Sequence, residues 1–196
     1  MIAIVDYDTG NLRSVANALK RLNVDFELTA SPEKLQSADR VILPGVGVAS
    51  SAMRKLRERG LDQLIPTLEC PELGICIGMQ LMCRHSEEGD AECMGIFDAE
   101  VFKLESNLPA GIKVPHMGWS RISGLDSPLF GGIRDGSYVY FVHSFAAPVC
   151  NNTIAVAENG RDFSAALRNG NFYGVQFHPE KSGAVGSMIL ENFLKI

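Results

Sequence analysis

The stretch Leu73-Gly74-Ile75-Cys76-Ile77-Gly78-Met79-Gln80-Leu81 constrains this chain more than any other. Leu73 and Ile75 end a short apolar run, Cys76 follows with a glycine two residues to either side, and Met79, Met82 and Cys83 continue at helical intervals. The pattern predicts a buried strand that turns sharply into a helix. Glycines at those places relieve crowding around a strained residue and tolerate unusual backbone angles. The apex side chain is then pushed into a cleft, as in a nucleophile elbow with Cys where Gly-x-Ser-x-Gly has Ser. Amides at the start of the following helix would favour the thiolate. The competing reading is an inert cysteine in an ordinary strand-to-helix turn.

The rest of the chain limits what such an elbow can serve. A length of 196 residues with 46% hydrophobic content supports one domain, residues 1–196, with a full core. The 18 basic and 23 acidic residues leave a net charge of −5, with no basic run that would suit a nucleic acid. Met1 to Asp6 meets an acid early and reads as a first strand, not a signal peptide. No apolar stretch is long enough for a bilayer, so a soluble, cytoplasmic protein without membrane or nucleic-acid partners is expected. Five cysteines without a Cys-x-x-Cys pair, and four scattered histidines, argue against disulfides and metal. The first turn holds Gly10 alone where a dinucleotide site needs Gly-x-Gly-x-x-Gly, so no cofactor is expected either.

Strands and helices alternate through the first half. Met1–Asp6, Val24–Leu28, Val41–Leu43 and the run into Cys76 read as strands. Leu12, Val15, Ala16, Leu19 and Leu22 mark one helix. Met53 and Leu56 mark another, with Ser50 or Ser51 as its cap and Gly60 as its stop. Beyond Ser86 come several strand-like runs, a hairpin signal at Asn169-Gly170, and a closing helix with Val185, Met188, Ile189 and Phe193 on one face. The predicted fold is α/β: a mostly parallel central sheet with helices on both faces and an antiparallel extension. Asp6–Asn11, Pro44–Gly47 and Cys76 would share the rim where such sheets bind ligands.

A thiolate nucleophile needs a base. His178, at the exit of the apolar run Val175-Gln176-Phe177, has Glu180 two residues on to fix its tautomer and stabilise its charged form. His143 also ends a strand-like run and is the rival, with no carboxylate close in sequence. The N–H of Ile77 is the natural first oxyanion donor. A second can come from Pro44-Gly45-Val46-Gly47, whose glycines would let a peptide plane turn towards the sulfur. Ser86-Glu87-Glu88-Gly89-Asp90 reads as a surface turn, and Trp119 as a core or sheet residue.

With Gly74–Gln80 and His178-Pro179-Glu180 in hand, the chain resembles the class I, triad-type glutamine amidotransferases, whose sheet is flavodoxin-like. Five further segments narrow the likeness: Asp8–Val15, Pro44–Gly47, Pro115–Trp119, Tyr140–Phe145 and Gln176–Gly183. Together they are similar to the glutaminase subunits of imidazole glycerol phosphate synthase, which serve histidine biosynthesis. The resemblance implies a Cys76 thioester with glutamine, His178 as acid and base, and Glu180 as its orienter. It implies Gly47, Gln80, Ser144 and Phe145 as glutamine ligands, and Val46, Gly47 and Ile77 around the oxyanion, with His143 no longer the base. It also implies a (βα)8-barrel cyclase partner in a heterodimer, met by Gly10, Asn11, Met117, Trp119, Tyr140 and Lys181. Ser120 departs from the Asn that usually follows Gly-Trp there. Other readings of the same residues are a glutaminase of a different synthase, a free-standing γ-glutamyl peptidase, or a binding module with a dead site.

Overall fold

The computed structural model describes residues 1–8, 11–104 and 112–196. Along the chain run β1 (Ile2–Val5), α1 (Leu12–Arg21), β2 (Phe26–Thr29), α2 (Pro32–Gln36), β3 (Arg40–Leu43), α3 (Ala49–Glu58), α4 (Leu61–Leu64), β4 (Glu72–Ile75) and α5 (Ile77–Leu81). There follow β5 (His85–Ser86), β6 (Ala91–Glu92), β7 (Glu100–Lys103), β8 (His116–Arg121), β9 (Tyr138–His143), β10 (Phe145–Ala146), β11 (Thr153–Glu158), β12 (Asp162–Asn169), β13 (Phe172–Val175) and α6 (Gly183–Phe193).

Seven strands form the main sheet in the order β11-β12-β13-β4-β3-β1-β2. The pairs β2–β1, β1–β3, β3–β4 and β4–β13 are parallel, and β12 pairs antiparallel with both β13 and β11. The parallel part has the flavodoxin-like order, and its direction of travel reverses at β1. Right-handed crossovers therefore put α1 on one face, and α2 and α3 on the other. Every residue of β1 and β4 is buried, as a sheet covered on both sides requires. The predicted antiparallel extension is the β11–β13 meander, and Gly170 takes φ 58 in its last turn.

Tertiary pairing differs from the sequence expectation in several places. The strand-like runs after Ser86 do not all join the main sheet. Four short strands form a second sheet, β10-β7-β5-β6, and β8 and β9 form a separate antiparallel ribbon. Neither Ser50 nor Ser51 caps α3. Its cap position is Val48, and the Ala49 amide donates to Glu88 Oε2 at 3.1 Å. In α6 Met188 is exposed, and Leu190 joins Ile189 and Phe193 inside. Gly186 sets that rotation: a Cβ there would lie 1.9 Å from the Pro179 carbonyl oxygen, so the helix lies directly on the segment after His178.

No helix among the described residues is long and apolar enough to cross a membrane.

Candidate active site

Cys76 stands between β4 and α5 with φ 55 and ψ −110, a conformation that costs an L-residue on the order of 1–3 kcal/mol. Its N–H donates to the Val175 carbonyl of β13 at 2.8 Å, and its carbonyl accepts from Gln80 N at 3.2 Å, so both sides of the turn are held. The flanking glycines serve close approach, not unusual angles. A Cβ on Gly78 would lie 1.9 Å from the Leu43 carbonyl oxygen, and one on Gly74 would lie 2.7 Å from Met79 N. The strain sits on the cysteine itself.

β13 is the parallel neighbour of β4 and delivers His178 to the same rim. The His178 N–H donates to Tyr140 O at 2.9 Å, and Ser182 Oγ donates to His178 O at 2.6 Å while accepting from Tyr140 N at 2.9 Å. This short loop is thereby tied to β9. His178 Nδ1 lies 2.8 Å from Glu180 Oε1, which also accepts from Asn11 Nδ2 at 2.8 Å. Burial opposes a charged ring, but the Cys76 sulfur and then the Glu180 carboxylate outweigh it and raise the His178 pKa to about 9. Burial likewise opposes a charged Glu180, and the imidazole and then the Asn11 amide hold its pKa below the ordinary value. His178 Nε2 has no hydrogen-bond partner among the described residues.

Cys76 and His178 line a cavity of about 300 Å³ together with Val46, Gly47, Ile77, Gln80, Ser144, Phe145 and Lys181. That is the small end of the range for ligand pockets. Gly45 lies against the start of α5, since a Cβ on it would be 2.9 Å from Ile77 Cβ and 3.0 Å from Gly78 N. The Pro44–Gly47 segment thus borders the elbow, and Gly47 carries φ 101. Gln80 Nε2 donates to Phe145 O at 2.9 Å and to Gln176 Oε1 at 2.8 Å, while Gln80 Oε1 has no partner among the described residues. A wider cleft of about 730 Å³ beside Arg57 and Arg84 lies away from the cysteine.

His143 lines the cavity with both ring nitrogens engaged. Its Nδ1 donates to Phe145 O at 2.8 Å, its Nε2 is engaged by His116 Nδ1 at 3.0 Å, and burial lowers its pKa to about 3. Sequence reasoning missed three residues here. Glu88, read as part of a surface turn, lines the cavity, and burial raises its pKa. Gln176 is buried with Nε2 3.7 Å from the Cys76 sulfur, and Ser182 clamps the His178 loop. A polar residue beside His-Pro-Glu was a usable signal for Gln176, whereas nothing local marks Glu88.

Of the residues matched to a partner surface, Met117 and Trp119 are 63% and 54% exposed on the outer face of the ribbon, so Trp119 is not a core residue. Tyr140 is half-buried with its ring 6.0 Å from that of Trp119, and Lys181 is exposed. Tyr138, unnamed by the sequence reading, adds to the same face. Asn11 is half-buried and spends its amide on Glu180. Gly10 lies outside the described residues. Among the described residues, no group of three or more His, Cys, Asp or Glu is arranged to hold a metal ion.

A strained cysteine, a buried imidazole and a buried carboxylate meet at one rim of a flavodoxin-like sheet, an arrangement that suits thiol acyl transfer. The family model "Glutamine amidotransferase class-I" matches residues 3–196. Solved structures share the fold: a glutamine amidotransferase at 17% identity with TM-score 0.76, covering 100% of this chain and 98% of that one, and PurLQS from Thermotoga maritima at 19% identity with TM-score 0.70, covering 99% and 97%. At the sequence level, the imidazole glycerol phosphate synthase subunit HisH of Bacteroides thetaiotaomicron is 53% identical over 100% of this chain and 99% of its own length. The Shewanella loihica subunit of the same name is 45% identical over 98% and 89%. The chain belongs to the class I glutamine amidotransferases and, within them, to the HisH family of imidazole glycerol phosphate synthase subunits.

Proposed function

We propose that this chain is the ammonia-donating glutaminase of an imidazole glycerol phosphate synthase, with Cys76, His178 and Glu180 as its triad. The Cys76 thiolate attacks the side-chain amide carbon of glutamine, and His178 gives its proton to the leaving nitrogen, releasing ammonia. Water, giving a proton back to His178, then hydrolyses the thioester to glutamate. Glu180 holds the ring charged until the proton is needed. The observation that carries this reading is a His178 raised to about 9 between Cys76 and Glu180 at the wall of an amino-acid-sized cavity.

The Ile77 N–H, with Val46 or Gly47 from the bordering segment, would bind the oxyanion. Gln80, Ser144, Phe145 and Gly47 would line the glutamine backbone, with the free Gln80 Oε1 accepting from it. The Glu88 carboxylate faces the same cavity, and it supplies the negative charge that an α-ammonium group needs. A cavity of about 300 Å³ favours free glutamine over a γ-glutamyl peptide, which would need a wider cleft.

Released ammonia would be largely protonated and lost in water, so a docked acceptor is chemically sensible. The exposed apolar face of Met117, Trp119 and Tyr138, flanked by Tyr140 and Lys181, supports a partner surface. The partner we infer is a (βα)8-barrel cyclase in a cytoplasmic heterodimer, with residues 1–196 acting as one domain. Cys76→Ala in the assembled enzyme should abolish synthesis from glutamine and leave synthesis from ammonium salts intact. Loss of both would refute this assignment.

A further inference from the structure

A chain of hydrogen bonds outside the triad runs from β8 to the cavity wall. His143 Nδ1 lies 2.8 Å from the Phe145 carbonyl oxygen, and a carbonyl only accepts, so the ring carries its proton on Nδ1. Burial keeps His143 neutral, with a pKa of about 3, so its Nε2 is a lone pair and His116 Nδ1, 3.0 Å away, must donate to it. His116 is neutral for the same reason, with a pKa lowered to about 4, so its Nε2 accepts from the Ser120 hydroxyl at 2.8 Å. Every link has one direction: Ser120 to His116, His116 to His143, His143 to the Phe145 carbonyl. The His116 ring is stacked on Phe141 at 4.8 Å, which fixes its plane.

A second arm reaches the same carbonyl from the catalytic side. Gln80 Nε2 donates to it at 2.9 Å and to Gln176 Oε1 at 2.8 Å, and Gln176 Nε2 lies 3.7 Å from the Cys76 sulfur. The Phe145 carbonyl is the junction. If His143 adopted the other tautomer, a lone pair would face that oxygen and repel it, and the Ser144–Phe145 segment would shift.

We propose that His116 and Ser120 are positioning residues of the glutamine pocket, holding His143 in its Nδ1–H tautomer and so fixing the Phe145 carbonyl and the Ser144–Phe145 wall. The proposal rests on the glutamine reading of the cavity. It gives Ser120 a definite task, as a donor to His116.

Three substitutions in the full chain, each assayed in the assembled enzyme, test it. His116→Phe keeps a ring on Phe141 but removes both nitrogens. His116→Asn keeps a donor near the place of Nδ1. With glutamine as substrate, the Phe variant should raise KM about ten-fold with kcat within about three-fold, the signature of a lost buried hydrogen bond felt mainly in ground-state binding. The Asn variant should recover most of that loss, and Ser120→Ala should raise KM about two- to three-fold. Long-range 1H–15N spectra of the wild-type chain should show His116 and His143 as neutral Nδ1–H tautomers. An unchanged KM in the Phe variant, an Asn variant as impaired as Phe, or an Nε2–H tautomer at His143 would each overturn the proposal. If His116→Phe does not fold, Ser120→Ala and the tautomer assignment decide. A wild-type chain that hydrolyses no glutamine even when assembled with its cyclase partner defeats the reading of the cavity, and the tautomer assignment then decides the hydrogen-bond chain by itself.

Discussion

At the exit of β13, His178 is 1% exposed and its pKa is raised to about 9; on the β8–β9 ribbon, His116 and His143 are 6% and 7% exposed and lowered to about 4 and about 3. Depth is nearly the same, so depth is not what separates them. The ribbon histidines face each other, a hydroxyl and a carbonyl; burial decides the charge of His116, and at His143 burial dominates with smaller contributions from His116 and His178. His178 faces a sulfur and a carboxylate. Two buried glutamates repeat the contrast. Glu72, fully buried at the start of β4, has no hydrogen-bond partner among the described residues, and burial raises its pKa to about 9. Glu180, 8% exposed, is instead held below the ordinary value by His178 and Asn11. Among these five buried groups, burial neutralises those without a charged partner, and mutual pairing keeps His178 and Glu180 charged.

The sharpest way to break that contrast is to remove His178. His178→Asn should lower glutamine hydrolysis on the order of 10⁴-fold, the scale of losing a triad base, and a steady-state glutaminase assay checks it. If His143 could substitute, the loss would be small. Next comes Glu180→Gln, which keeps an acceptor for His178 Nδ1 but removes the charge. We expect kcat to fall about 10²- to 10⁴-fold and the His178 pKa, followed by NMR titration, to drop from about 9. A pKa that stays put would mean the sulfur alone keeps the ring charged.

A third test uses the lone acid. Glu72 is raised above its unfolded value of 4.5, so its contribution to stability is fully present below that value and is lost as pH rises through about 9. His178 has the same sign: its contribution is full below 6.5 and is lost as pH rises through about 9. Glu72→Gln should therefore be more stable than the wild type near pH 8, by on the order of 1–3 kcal/mol in urea melts. The advantage should shrink as pH falls towards 4.5. A variant equally stable at both ends would show that Glu72 reaches a charged state at little cost.

Much of this was legible in the sequence. Short apolar runs alternating with helical periods mark the parallel sheet, and the elbow around Cys76 and the His178-Pro179-Glu180 exit mark the proposed site, whose residues the fold brings to one cavity. What escaped was set by contacts between distant segments. The runs after Ser86 look alike locally, and only partner strands decide which join the main sheet, which form the β8–β9 ribbon and which build the second sheet. Glu88 sits in a turn of charged residues, and its position at the cavity follows from its bond to the Ala49 amide across the fold. Met188 fits the helical period of α6, yet the contact of Gly186 with Pro179 turns it to the outside.

The smallest effect in the contrast belongs to Asn11, a neutral side chain that supports the charged pair. Its amide donates to Glu180 Oε1 at 2.8 Å and lies 3.5 Å from His178 Nδ1. Removing it should loosen Glu180 without discharging His178, which keeps its own bond to the carboxylate. Asn11 also occupies the left-handed region, with φ 74, at the start of α1, so an alanine there would mix two effects. Asn11→Gly separates them, because glycine accepts that backbone freely. We expect the glycine variant in the assembled enzyme to lose about three- to ten-fold in kcat, one charge-assisted hydrogen bond's worth, with the melting temperature of the chain close to the wild type. Asn11→Ala should lose the same activity and a further 1 kcal/mol or about that in stability, from the strained backbone. Equal activity in the wild type and Asn11→Gly would show that Glu180 and His178 sustain their charges unaided, and that the side chain of Asn11 serves another surface.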